Sequence, residues 1–199
     1  MNEQEVFVLA DRALERVVHQ IRDDQWSMQM PPDFASNFPG PVTLRDVIGY
    51  HAYDDAWVPD MLAGRSMSEV SEEEFNGDLL GDDPKGSFSA LVDAACAAAE
   101  ALDDPDRVVH CSYGDFPARE YLCHISSFRG LRAHDIAQVL GADTKLPDDL
   151  VQGLWQELVP REEEWRRYGI FPDRVEVPAD APLQDRLLGA TGRQPDGPR

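Results

Sequence analysis

A chain of 199 residues, 42% of them hydrophobic, has the length and apolar content of one domain with a substantial core, and it carries a net charge of −20. Binding a nucleic-acid backbone needs a basic surface that releases counterions; 18 Lys and Arg against 38 Asp and Glu do not supply one, so no polynucleotide partner is expected. No apolar run approaches the roughly 18–20 residues of a membrane span, MNEQEVF has no signal-peptide character, and Cys96, Cys111 and Cys123 form no CxxC, so the expectation is a cytoplasmic protein with no membrane partner.

Residues 3–22 read as a first helix with a buried stripe of Val6, Ala10, Ala13, Leu14, Val17 and Ile21. A long connection over 23–42, rich in Pro, Asn and Gly, follows; Trp26 and Phe34 are expected to close one end of the core there.

The functional expectation rests on Thr43–Leu62, TLRDVIGYHAYDDAWVPDML. Thr43 and Asp46 are spaced as a helix cap, with the carboxylate at the positive end of the helix dipole. Leu44, Ile48, His51, Asp55, Val58 and Leu62 then recur at three- and four-residue intervals and share one face. An imidazole and a carboxylate therefore interrupt a core-facing stripe. Such groups need partners, because burying an unpaired neutral polar group costs roughly 2–7 kcal/mol. Pro59 predicts a kink or an early stop.

Residues 64–86 are acidic and glycine-punctuated, without the ligand spacing of a calcium loop. Ser87 is expected to cap a third, alanine-rich helix in which Cys96 is a small core residue. Arg107–Tyr113 reads as extended, with Gly114 and Asp115 turning the chain. Pro117 opens the longest helix, PAREYLCHISSFRGLRAHDIAQVLG, which Gly141 closes. Its apolar face is Tyr121, Ile125, Phe128 and Val139; Arg132 and Asp135 fall on that face, His124 at its flank, and His134 about 120° from Phe128 at roughly 100° per residue. Glu120 with His124, like His51 with Asp55, is an i,i+4 pair able to chelate a metal. After Gly141 come a short amphipathic helix in DDLVQGLWQELVP, an extended RVEVPADAP and a last short helix in PLQDRLLGATGR. The expected fold is all-α: an antiparallel four-helix bundle over residues 1–142, with a helical and extended C-terminal appendage over 143–199 packed on it.

The stretches TLRDVIGYHAYDDAWVPDMLAG, GDFPAREYLCHISSFRGLRAHDIAQVLG and FPDRVEVPADAPLQDRLLGATGRQP resemble the DinB-like bundles related to mycothiol-dependent maleylpyruvate isomerase. The resemblance implies a four-helix bundle with a pocket at one end and a divalent metal, commonly zinc, that activates the thiolate of mycothiol or a related thiol. The family's metal ligands are a histidine on the second helix and two residues four apart on the long helix. Counted back from DIAQVLG, the long-helix positions fall on Phe128 and Arg132, and the second-helix position on Tyr50 or His51. Phe128 offers no donor and Arg132 stays protonated.

Two arrangements follow. In one, Arg132 supplies the metal's charge and pairs with Asp55 or Asp135 beside His51; in the other, His51 and Asp55 bind a metal with His124 or His134. The expected site therefore has His51 and Arg132 as catalytic residues and His51 as the metal ligand. Tyr50, Asp55, His124, Phe128 and Asp135 are expected to bind substrate. The expected ligand is a small-molecule thiol or an anionic substrate, used by a thiol-dependent transferase or isomerase. The alternative is a non-catalytic bundle that binds a small molecule or a second copy of itself as a homodimer.

Overall fold

The computed structural model describes residues 1–35, 38–70 and 75–195. The chain is mostly helical: α1 (Glu3–Val18), α2 (Leu44–Leu62), α3 (Pro84–Glu100), α4 (Ala118–Leu140), α5 (Asp148–Leu158), α6 (Glu162–Arg167) and α7 (Leu183–Ala190), with β1 (Val108–Cys111) and β2 (Gly114–Pro117) paired antiparallel before α4.

Helix ends follow local chemistry. Asn2 and Glu5 cap each other's backbone N–H at 2.9 Å to start α1. Its last helical residue is Val18, four short of the expected end, though Ile21 beyond it is still fully buried. Thr43 and Asp46 form the expected reciprocal cap of α2, with the Thr43 N–H donating to Asp46 Oδ2 at 2.8 Å. Pro59 does not stop that helix, which runs on to Leu62. The cap of α3 is Asp83 rather than Ser87: its carboxylate accepts from the Gly86 N–H at 3.1 Å, and Pro84 takes the first helical position, where no N–H is needed. Gly141, with φ of 65°, closes α4 as its pattern predicts. In the hairpin, Ser112 and Tyr113 make the turn, and Gly114 and Asp115 already belong to β2, with Asp115 opposite His110.

α1 packs against α3 and α4, and α2 against α3. α5 lies across α1 and α4 at close range: a Cβ on Gly130 would meet Leu154 Cδ1 at 2.7 Å, and one on Gly153 would meet Val6 Cγ2 at 2.6 Å. Leu150 and Leu154 of α5 and Leu187 and Leu188 of α7 join the same buried cluster as Leu14, Ile48 and Ile136. The connection before α2 is pinned by Met30 N–H to Val42 O and Leu44 N–H to Met28 O, both 2.9 Å, and it buries Trp26 as expected. Among the described residues, no helix is long and apolar enough to cross a membrane.

Candidate functional site

Polar groups enter the core at two neighbouring places along α4. At the first, Arg129 is fully buried and lies between carboxylates from two other helices. Its Nε donates to Asp55 Oδ1 of α2 at 2.7 Å and to Asp11 Oδ1 of α1 at 3.1 Å; its Nη2 also donates to Asp55, and its Nη1 to the Ile125 carbonyl at 3.3 Å. The guanidinium stands over Phe7, 5.3 Å from the ring centroid. On α3, the Cys96 Sγ lies 3.9 Å from Asp11 Oδ2, so the cluster touches all four of the longest helices.

Two buried acids share one cation here. Burial, then repulsion from Asp55, holds the Asp11 carboxyl well above the usual range. Burial raises Asp55 too, against the pull of Arg129. Asp55 takes two guanidinium N–H groups and Asp11 one, so Asp55 is the better held as a carboxylate and Asp11 is the readier of the two to hold a proton. Burial works against the Arg129 charge, but Asp55 and Asp11 outweigh it and the group stays protonated.

About one turn further along α4, Arg132 is only 5% exposed. Its guanidinium is sandwiched between Phe34, 4.6 Å from that ring centroid, and Phe128, at 5.0 Å. Against Phe128 lies the fully buried His51 ring, with centroids 4.7 Å apart. Tyr50 meets Phe128 edge-on at 6.0 Å, and Phe38 meets Tyr50 the same way at 5.8 Å. Phe38, Tyr50, His51, Phe128 and Arg132, with Val47 and Ala35, line a partly open pocket of about 10 Å³. Both ring nitrogens of His51, and Nε and Nη1 of Arg132, are buried without a hydrogen-bond partner. Burial, then the charges of Arg132 and Arg129, push the His51 pKa well down, so the imidazole is neutral. Burial lowers Arg132 to about 10.

The structure brings Tyr50, His51, Phe128 and Arg132 together, pairs Arg132 with Asp135, one of its two expected partners, and places Asp55, His124 and His134 elsewhere. Asp55 pairs with Arg129, not with Arg132. Asp135 is held by two bonds from Arg193, at 2.9 and 3.0 Å, and lies 3.8 Å from Arg132 Nη1. His124 stands apart, among Tyr113, Phe116 and Trp165 near the hairpin, 3.8 Å from Glu120, and burial lowers its pKa. His134, off the Phe128 face as its spacing predicts, is buried; its Nδ1 lies 3.1 Å from the Thr144 carbonyl. Arg129 and Asp11 were not anticipated. Their signal was present: Phe7, Asp11, Leu14 and Val18 are spaced 4, 3 and 4 on one helical face, and Arg129 follows Ile125 by four.

The divalent metal implied by the resemblance does not fit these residues. At the place in question His51 and the Tyr50 hydroxyl are the groups with a donor atom to offer, Phe128 offers none, and the Arg132 cation repels a second positive charge. Among the described residues, no three His, Cys, Asp or Glu side chains converge as a metal-ligand set. Comparison of the chain with protein-family models, curated proteins and solved structures finds no match.

Proposed function

We propose that α1 to α4 form a DinB-like antiparallel four-helix bundle, carrying residues 143–199 as an appendage, that binds a low-molecular-weight thiol of the mycothiol kind. In this reading the protein is a cytoplasmic thiol-dependent transferase or isomerase of an anionic substrate, and Arg132 stands where relatives keep a metal. The observation that carries it is the convergence of unpaired, buried polar atoms from His51 and Arg132 on one aromatic-lined cavity, in a core that otherwise pairs most of its charges. The neutral His51 imidazole has one bare ring nitrogen, which can accept a hydrogen bond from a thiol. The Arg132 guanidinium would stabilise a thiolate or orient a substrate carboxylate. Calorimetric titration with mycothiol tests the reading: saturable binding that weakens tenfold or more in His51→Ala and Arg132→Gln supports it, and absence of binding to the wild-type protein refutes it.

The second reading is a non-catalytic bundle that binds a small molecule or a second copy of the chain. The Asp11–Arg129–Asp55 cluster favours it, because a fully buried charge group without an opening serves helix register rather than chemistry.

A further inference from the structure

We infer that Glu157, Arg161 and Cys123 form a proton-gated clasp between α5 and α4. While Glu157 holds a proton, Arg161 is seated on Cys123; when that proton leaves, Arg161 moves to the Glu157 carboxylate. These residues lie outside the pocket around Phe128, and the inference does not depend on the use of a thiol ligand.

The geometry is that of the first state. α5 ends at Leu158 and the tight turn Val159–Arg161 continues it, so Glu157 and Arg161 stand four apart with the acid on the N-terminal side, the order in which such a pair attracts. They are nevertheless apart. Arg161 Nη1 donates to Cys123 Sγ of α4 at 2.8 Å, and both Glu157 carboxyl oxygens are buried without a hydrogen bond. A thiol sulfur is a weak acceptor, whereas a carboxylate draws a guanidinium with charge and two oxygens at once. An arginine that passes over the acid of its own turn for a sulfur is therefore facing an uncharged acid.

The surroundings explain why the acid is uncharged. The groups that face Glu157 are Glu3 from α1, Cys123 from α4 and Arg161 from its own turn. Burial, then the Glu3 charge, lift the Glu157 carboxyl to about 8 against the pull of Arg161. Burial pushes the Cys123 thiol up to about 12, so Glu157 is the member of the clasp that titrates first. Beyond them Arg161 faces His124, whose pKa burial lowers, with Glu120 opposing and Arg161 adding to the effect. Loss of the Glu157 proton takes away the tie from Arg161 to α4, while Leu150 and Leu154 keep α5 on the core, so the change stays local.

NMR of ¹³C- and ¹⁵N-labelled protein between about pH 6 and 9 tests the clasp. The Glu157 carboxyl carbon and the Arg161 Nε–H, assigned by its loss in Arg161→Gln, should titrate with one shared midpoint of about 8. In Glu157→Gln, which imitates the protonated acid, the Arg161 resonance should stay in place across the range. In Arg161→Gln the Glu157 midpoint should rise by about one pH unit, as removal of a nearby opposite charge requires. An Arg161 resonance that stays fixed while Glu157 ionises, one that moves equally in Glu157→Gln, or a Glu157 carboxyl already ionised at the acidic end of the range would overturn the inference.

Discussion

Replacing Arg129 by Met is the sharpest perturbation the core offers. Met fills much of the same volume and keeps the contact with Phe7, but it leaves the Asp11 and Asp55 carboxyls buried without their cation. Removing one partner of a buried ion group costs about 3–5 kcal/mol. At an unfolding entropy near 2.1 cal/mol/K per residue, a chain of 199 residues has about 0.4 kcal/mol/K, so the melting temperature should fall by roughly 7–12 °C. Asp11→Asn is the counterpart: burial and the neighbouring Asp55 favour the neutral form of Asp11, so the neutral amide should cost less than the loss of Arg129, about 1 kcal/mol at pH 7. Urea denaturation of both variants measures the two effects directly. On acidification the Arg129→Met deficit should narrow as both carboxyls take up protons. A loss below about 1 kcal/mol in Arg129→Met, with a larger loss in Asp11→Asn, would show that the cluster does not share one proton as described.

Three further outcomes are expected. Stability should fall as pH rises from about 6.5 to 8: burial lifts the Glu157 carboxyl to about 8, so it contributes stability that is lost as pH rises through that value, while Asp54, lifted to about 6, has lost most of its share by then. His51 and His124, lowered by burial, lose theirs as pH falls below the ordinary 6.5; a melting temperature that climbs steadily to pH 9 would contradict this. Gly189→Ala should cost about 1–3 kcal/mol, because its Cβ would meet the Val175 carbonyl oxygen at 2.6 Å and backbone cannot step aside; a neutral result in thermal melts would show that the 175–177 segment is not seated on α7. Alkylation followed by peptide mass spectrometry should label Cys111 first, since Cys96 and Cys123 are buried and their thiols are pushed up to about 12; early labelling of Cys123 would show that its seat beside Arg161 opens.

How much of this was legible in the sequence depends on what each feature needs. The cap of α2 and the stop of α4 at Gly141 are set by neighbours within four residues, and both were readable. The α3 cap was misplaced by four residues because Asp83-Pro84 and Ser87 both suit a helix start, and proline at the first position decides between them. That His51 and Asp55 turn inward followed from spacing alone. Which guanidinium Asp55 meets did not. Arg129 and Arg132 are a turn apart on α4, and choosing between them requires the axial offset of α2 against α4, a displacement of about one 5.4 Å turn that connections and packing set. Asp11 was hidden for a related reason: α1 is covered by α3, α4 and α5, so its buried surface is wider than the single stripe the periodicity picks out.

The two polar intrusions on α4 differ in a way that assigns them different work. Around Arg129 there are two acids and one cation, and apart from Asp55 Oδ2 the carboxylate and guanidinium atoms there have partners; burial and mutual repulsion favour a proton on one of the two acids. Around Arg132 there are two guanidiniums, Arg132 and Arg193, and one carboxylate, Asp135, which Arg193 already holds. The first set is closed, and closed buried networks fix geometry. The second carries surplus positive charge and unpaired donors inside a chain whose net charge is −20, where a surface glutamate could have neutralised it at little cost. A folded core does not hold such a surplus for stability, since each unpaired buried donor costs about 1–3 kcal/mol. The Arg132 end of α4, not the Arg129 end, therefore carries the unpaired positive groups that the proposed ligand would meet.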